Sequence, residues 1–429
     1  QLHFDHKLYI VLLIKIIYGD RYIKRIFIIL SGSDINRLTA PQIRLLSIAR
    51  GVYELGYEVI WIINSECPED SIHNDPYYKE IKFISLCSGY HRKNNKIYRW
   101  LCRLKNLYKL RWNFDKTINR DKQDVIAGFI IGRNVSELLL SLIVFHSNGI
   151  KVAYERTEYP YLNIHKLSFR YLDIELYFKL FLRRVDYIYV ISTALKDLFE
   201  KKLPKQRKLG RIQILNMLVE PDRFNPTQNI ERFINSSKKR IVFVGELYGD
   251  KDGVYGLVQA FLKICIDFPE SDLILVGDNK NKEALYSLYA LINNSDFKNR
   301  IIFTGKLNRS EIAIQIKNSY CLVLDRPNNI QAKYGFPTKL GEYLASGKPV
   351  IITKVGDIPL YLTDNINVYL AEPDNIESFS QKLRECLNDP KHAQQIGLEG
   401  QKLAYNEFNY LKCVKKMLEQ IEERKIISI

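Results

Sequence analysis

RIVFVGELYGDKDGVYGLVQAFLKICIDFPESDLILVGD, residues 240–278, decides the fold. RIVFVGEL (240–247) and DLILVGD (272–278) are short apolar runs and read as buried strands. Between them GVYGLVQAFLKICIDF (253–268) has the length and apolar spacing of a helix. Strand, helix, strand with Gly-marked joints is the unit from which a parallel sheet is built.

The same rhythm runs outward in both directions. Downstream, RIIFTGKL (300–307), SYCLVLD (319–325) and KPVIIT (348–353) read as strands, and KEALYSLYALINN as a helix. Upstream, RIFIIL (25–30), YEVIWII (57–63), KFISL (82–86), DVIAGFII (124–131), IKVAYE (150–155), DYIYVIS (186–192) and IQILNM (212–217) read as strands. PQIRLLSIARGVYEL, SELLLSLIVFHSNG and LKDLFEKKL read as helices between them. The polar segment 228–239 separates the two series. The fold class is α/β, with two doubly wound parallel-sheet domains. We place the domains at 25–235 and 236–405, with an N-terminal extension at 1–24 and a closing helix at 406–429.

Composition agrees with a folded protein of two cores. The chain has 429 residues, 46% of them apolar, too long for one ordinary core. Its seven cysteines are scattered with no C-x-x-C pair, which fits a reduced cytoplasmic setting and no zinc site. The histidines form no ligand spacing, and no metal is expected. No segment reaches the roughly 20 apolar residues of a membrane span. LYIVLLI (8–14) is broken by Lys15 and reads as an extra element packed on the first domain.

The charge is +16, unevenly divided. Residues 1–230 hold 37 Lys/Arg against 23 Asp/Glu, whereas residues 231–429 hold 27 against 25. A basic half points to an anionic surface or simply to a basic proteome. Segment 92–111, RKNNKIYRWLCRLKNLYKLR, has eight Lys/Arg and no acid. Ile97, Leu101, Leu104 and Tyr108 share one helical face, with Lys96, Arg99 and Arg103 on another. Such a helix suits the inner face of an anionic membrane. It equally suits a surface helix packed on its own domain.

GFPTKLGEYLASGKPV (335–350) raises the question of a site. Pro337 or Thr338 starts a short helix and Gly347 ends it. Its first amides have no internal partner and carry partial positive charge, so a phosphate can sit there. Gly335 lets the backbone come close. Lys339 and Glu342, three apart, are surface neighbours. A lysine can neutralise a diphosphate, and a carboxylate one turn deeper can hold sugar hydroxyls. A capped helix with a surface Lys–Glu pair is the alternative on spacing alone.

The wider run resembles the GT-B retaining glycosyltransferases, family 4 (glycosyl transferases group 1). It includes VGEL-(x)3-K (244–251), LILVGD (273–278), IIFTGKL (301–307), GFPTKLGEYLASGKPV and VGDIP (355–359). EFNYLKCVKKMLEQI (407–421), VIS (190–192) and ILNMLVEPDRF (214–224) also match. The resemblance implies two Rossmann-like domains facing across a cleft, and a terminal helix crossing back to the first. It implies a nucleotide-sugar donor, a glycan or lipid-linked acceptor, retention of configuration and no metal or other cofactor.

By the same resemblance Glu342 holds the ribose and Lys251 grips the diphosphate. Lys339 and the backbone of Gly335, Phe336, Pro337 and Thr338 lie near sugar or phosphates. Gly277 and Asp278 line the nucleotide pocket or merely make a turn. Gly32 and Ser33 approach the diphosphate. In YERTEYP (154–160), Glu155 or Glu158 orients the acceptor hydroxyl and Arg156 meets an anion, or the loop is held by a salt bridge. Arg44 is a further acceptor candidate. Two positions depart from the pattern: Tyr334 stands where the family has its first glutamate, and Glu246 where it has an arginine. Arg326 or Lys339 is then the replacement cation. A non-catalytic relative and a binder of anionic surfaces, lipid or nucleic acid, remain the alternatives; no nucleic-acid motif is present, so nucleic acid is not an expected partner.

Overall fold

The computed structural model describes residues 25–31, 40–64, 78–86, 95–131, 134–162, 164–166, 168–204, 211–224, 238–249 and 251–426. The LYIVLLI segment, Gly32 and Ser33 lie outside the described residues.

Two parallel sheets form the core. The first contains β1 (Ile26–Ser31), β2 (Glu58–Ile63), β3 (Lys82–Ser85), β4 (Val125–Ile131), β5 (Val152–Arg156), β6 (Tyr187–Val190) and β7 (Ile212–Ile214), in the order β3-β2-β1-β4-β5-β6-β7. The second contains β8 (Lys239–Val244), β9 (Ser271–Val276), β10 (Ile301–Gly305), β11 (Cys321–Leu324), β12 (Val350–Thr353) and β13 (Tyr369–Ala371), in the order β10-β9-β8-β11-β12-β13. Strands buried on both faces must be apolar throughout. Ile26–Ser31 is buried at all six positions, as is Ser271–Val276. That is why these runs were legible as strands. Strand β13 was not read from the sequence.

In the first half the helices are α1 (Ala40–Glu54), α2 (Lys96–Trp112), α3 (Phe114–Ile118), α4 (Val135–Ser147), α5 (Phe169–Leu176) and α6 (Thr193–Lys202). In the second they are α7 (Val254–Ile264), α8 (Tyr286–Asn293), α9 (Arg309–Lys317), α10 (Ile330–Tyr334), α11 (Thr338–Ala345), α12 (Ile358–Tyr361), α13 (Ile376–Asn388), α14 (Pro390–Glu407) and α15 (Tyr410–Ile426). Helix α11 is the short helix read from GFPTKLGEYLASGKPV. Its N-cap is Pro337 and its C-cap Ser346, with Gly347 following at φ +71°.

The described residues pack as two compact units. One comprises those up to Tyr154, Arg184–Asp186 and those from Leu418 onward; the other comprises Glu155–Arg183 and Tyr187–Met417. Within the first unit, Glu422 of α15 accepts hydrogen bonds from Arg25 (2.6 Å) and the Tyr57 hydroxyl (2.9 Å). Helix α2 differs in one respect from its reading. Arg103 does not join an exposed cationic face but turns inward, its Nε 2.7 Å from the buried Glu137 carboxylate. Burial of that carboxylate calls for a cation beside it.

Candidate functional site

In a doubly wound sheet, ligands sit beyond the carboxyl ends of strands where the strand order reverses. In the second sheet that point lies between β8 and β11, whose chains leave in opposite directions. The loop after β8 carries Lys251 and Asp252, and the residue second after β11 is Arg326. Strand topology alone therefore brings these residues to one place.

Lys339, at the second position of α11, completes the group. Its ammonium pairs with the carboxylate of Asp252, which is almost fully buried. Burial holds the Lys339 pKa below its usual value; Asp252 opposes that shift, while Lys251 and Arg326 add to it as like charges. Arg326 is only 3% exposed, and its Nε has no hydrogen-bond partner. Burial lowers its pKa too, against the pull of Asp252. Three cations thus lie together around the Lys339–Asp252 pair. A buried guanidinium with an unused donor is costly unless an anion meets it.

Two glycines make room. A Cβ at Gly245 would lie 2.1 Å from the Lys339 Nζ and 2.9 Å from an Asp252 oxygen. A Cβ at Gly277 would lie 2.2 Å from the Gly245 carbonyl oxygen. Gly277 is therefore a packing residue that backs the Gly245 turn. Asp278 is exposed and its Oδ1 accepts from the Lys280 amide at 3.0 Å, closing a turn.

Helix α11 is held in register by Tyr343. Its hydroxyl, fully buried, accepts the Val244 amide hydrogen at 2.8 Å. The start of α11 is thereby fixed against the end of β8. Pro337 at its N-cap supplies no side-chain acceptor to the first amides. Phe336 is buried and packs edge-on against Tyr361 (5.9 Å), so only its backbone is available to a ligand. Gly335 caps the end of α10 in an extended conformation, φ −104°.

Glu342 is half-buried one turn along α11. Burial pushes its carboxyl pKa up, and Arg309, Arg223 and Lys339 pull it back, whereas Glu220 adds to the rise. Glu220 and Arg223 form their own ion pair. Arg309, Arg223, Glu220 and Asp252 were not singled out from the sequence. Glu220 and Arg223 sit in the ILNMLVEPDRF run and Asp252 follows Lys251, but only tertiary structure brings them and Arg309 to these partners.

The two departures have physical accounts. Glu246 is exposed and its charge acts on the Tyr248 hydroxyl, whose pKa it raises, with Asp278 adding to the effect. Tyr334 stacks on Tyr159 at 4.4 Å with 25° between the rings, and its carbonyl accepts from the Ser192 hydroxyl at 2.7 Å. The position thus anchors the YERTEYP segment. In that segment Arg156 Nε donates to the Glu158 carbonyl at 3.0 Å, Glu155 is half-buried and the Glu158 side chain is exposed. Asp357 of the VGDIP run accepts from both the amide (2.7 Å) and the hydroxyl (2.5 Å) of Thr193. It fastens the start of α6. Arg44 is only 4% exposed and sits in the packed body of α1, so it does not present a guanidinium to solvent.

Residues 225–403 match the family of glycosyl transferases group 1. That match spans 179 of the 429 residues, and the chain has the GT-B fold. An uncharacterized glycosyltransferase of Methanocaldococcus jannaschii is 30% identical over 42% of this chain and 47% of its own length. The lipopolysaccharide 1,2-N-acetylglucosaminetransferase of Salmonella typhimurium is 25% identical over 55% of this chain and 61% of its own. The chain thus matches about half the length of these curated relatives. HepE of Anabaena, solved in complex with UDP, superposes with a TM-score of 0.69 at 14% identity, covering 92% of this chain and 99% of that one. Among the described residues, no helix is long and apolar enough to cross a membrane.

Proposed function

We propose that the protein is a retaining hexosyltransferase that moves a sugar from a nucleotide-sugar donor to a glycan or lipid-linked acceptor. The cluster of Lys251, Arg326 and Lys339 around Asp252, with its unpartnered Arg326 Nε, carries this reading. Such a cluster at the start of a helix suits a diphosphate. The cations and the first amides of α11 neutralise charge that develops on the leaving phosphate, a fixed electrostatic contribution needing no metal. Glu342 takes the ribose hydroxyls. The acceptor hydroxyl attacks from the face the phosphate leaves, and the phosphate takes its proton, so configuration is kept. Glu155 and Glu158 orient the acceptor, and Arg156 meets its charge.

The relative named for lipopolysaccharide synthesis and the neighbour solved with UDP support a uridine-type donor and a cell-envelope polysaccharide product. A cytoplasmic site of action fits the scattered cysteines.

Calorimetric titration with a panel of nucleotide-sugars tests the reading. At least one donor is expected to bind, and Arg326→Ala and Lys251→Ala each to weaken it at least tenfold. Absence of heat with every donor, or unchanged affinity in both variants, overturns it.

A further inference from the structure

Helix α2 buries one face and leaves an apolar one open. Trp100 Nε1 donates to the Ser136 hydroxyl at 3.0 Å, Arg103 pairs with Glu137, and Leu107 and Leu110 are buried. These four residues fasten α2 to α4 and the first sheet. The opposite side exposes Ile97 (65%), Leu101 (51%), Tyr108 (57%) and Trp112 (67%). Their spacing of 4, 7 and 4 residues puts them on one stripe. Helices of globular proteins bury such a stripe; here a different one is buried.

Charge says what covers it. From Lys96 to Trp112 there are six Lys/Arg and no acid. By helical periodicity Lys105 and Lys109 border the stripe on one side and Arg111 on the other. Arg111 also lies 5.1 Å from the Trp112 ring centre, a cation against an aromatic face. The helix is capped at its start by Asn95, whose side chain accepts the Ile97 amide hydrogen, so the stripe is presented by an ordered element. An apolar stripe with cations on both edges and an aromatic residue at its end matches the boundary of headgroups and acyl chains.

We propose that α2 is a membrane-docking helix that seats Ile97, Leu101, Tyr108 and Trp112 at the surface of an anionic phospholipid bilayer. The inference stands on α2 alone and does not depend on the donor site.

Co-sedimentation of the full chain with phosphatidylcholine vesicles, with and without 30 mol% phosphatidylglycerol, tests it. Binding is expected only with the anionic lipid, together with a blue shift of tryptophan emission that Trp112→Ser removes. Ile97→Ser/Leu101→Ser should lower partitioning at least about tenfold. Lys105→Glu/Lys109→Glu should lower it at least about 25-fold at low salt. All four positions are exposed, so thermal melting should not move. Equal binding to neutral vesicles, or binding untouched by these variants, overturns the proposal. So does loss of binding only in Phe169→Ser/Leu172→Ser on α5, another helix with exposed apolar residues. Binding to single-stranded RNA without vesicle binding also overturns it. Donor binding measured on the same variants is expected to be unchanged, which separates failure here from failure of the donor reading.

Discussion

Lys339 and Asp252 form a pair whose worth depends on each other. Replacing the carboxylate leaves buried positive charge uncompensated, which costs on the order of 3–5 kcal/mol. Asp252→Asn should therefore destabilise the chain by about that amount, because Lys339 and Arg326 lose their counter-charge, and adding Lys339→Met should recover part of the loss; denaturant melts of the two variants check this. Directly after β11, Asp325 behaves differently. Burial, with Asp374 adding like charge, raises its pKa to about 7. The native state then holds a proton that the unfolded chain releases near pH 4, so stability falls as pH rises from about 4 to 7 and stays low above it. Asp325→Asn removes the titrating group. The variant should be flat over that range and more stable than the parent at pH 8, by on the order of 4 kcal/mol. Melts at pH 5 and pH 8 decide the point: equal slopes in both proteins would show that Asp325 is ionised in the fold.

At the scale of elements, the position of α11 rests on one hydroxyl. Tyr343→Phe keeps the ring but removes the acceptor of the buried Val244 amide. Leaving that amide unsatisfied costs about 1–3 kcal/mol. It also frees α11 from the end of β8, so affinity for the proposed donor should fall along with stability. Calorimetry beside a melting curve measures both. The sequence announced this helix because Pro, Gly and the Lys–Glu spacing are local signals. It could not announce the hydrogen bond from Val244, which joins residues 99 apart. The same division runs through the site. The strands were legible because burial on both faces makes them continuously apolar, and Lys251, Lys339 and Glu342 were legible because they sit in short motifs. The approach of Arg309 and Arg223 to Glu342 depends on how separate segments fold together, and no local pattern records it. Arg103 shows the converse: its place on a cationic surface followed from helical spacing, yet the buried Glu137 carboxylate on α4 draws it inward.

For the molecule as a whole, the last helix ties stability and binding to different parts of the chain. Residues of α15 up to Met417 belong with the unit holding Lys251, Asp252, Arg326 and Lys339, and those from Leu418 with the unit holding β1 to β4. Leu418 and Ile421 are buried, and Glu422 pairs with Arg25 and Tyr57. Burying each of the two aliphatic side chains contributes about 1.5–3 kcal/mol. Deleting residues 418–429 should therefore weaken the β1–β4 unit by several kcal/mol. It removes nothing from Lys251, Arg326 or Lys339, so donor affinity per folded molecule should stay within about twofold. A saturating nucleoside diphosphate at 100 times its Kd adds about 2.7 kcal/mol to whatever unfolds together with its site. In the shortened chain that gain should raise one melting transition and leave the weakened one in place. A single transition rising as a whole with nucleotide would mean that the two units unfold as one cooperative body, and that the terminal turns of α15 are not what couples them.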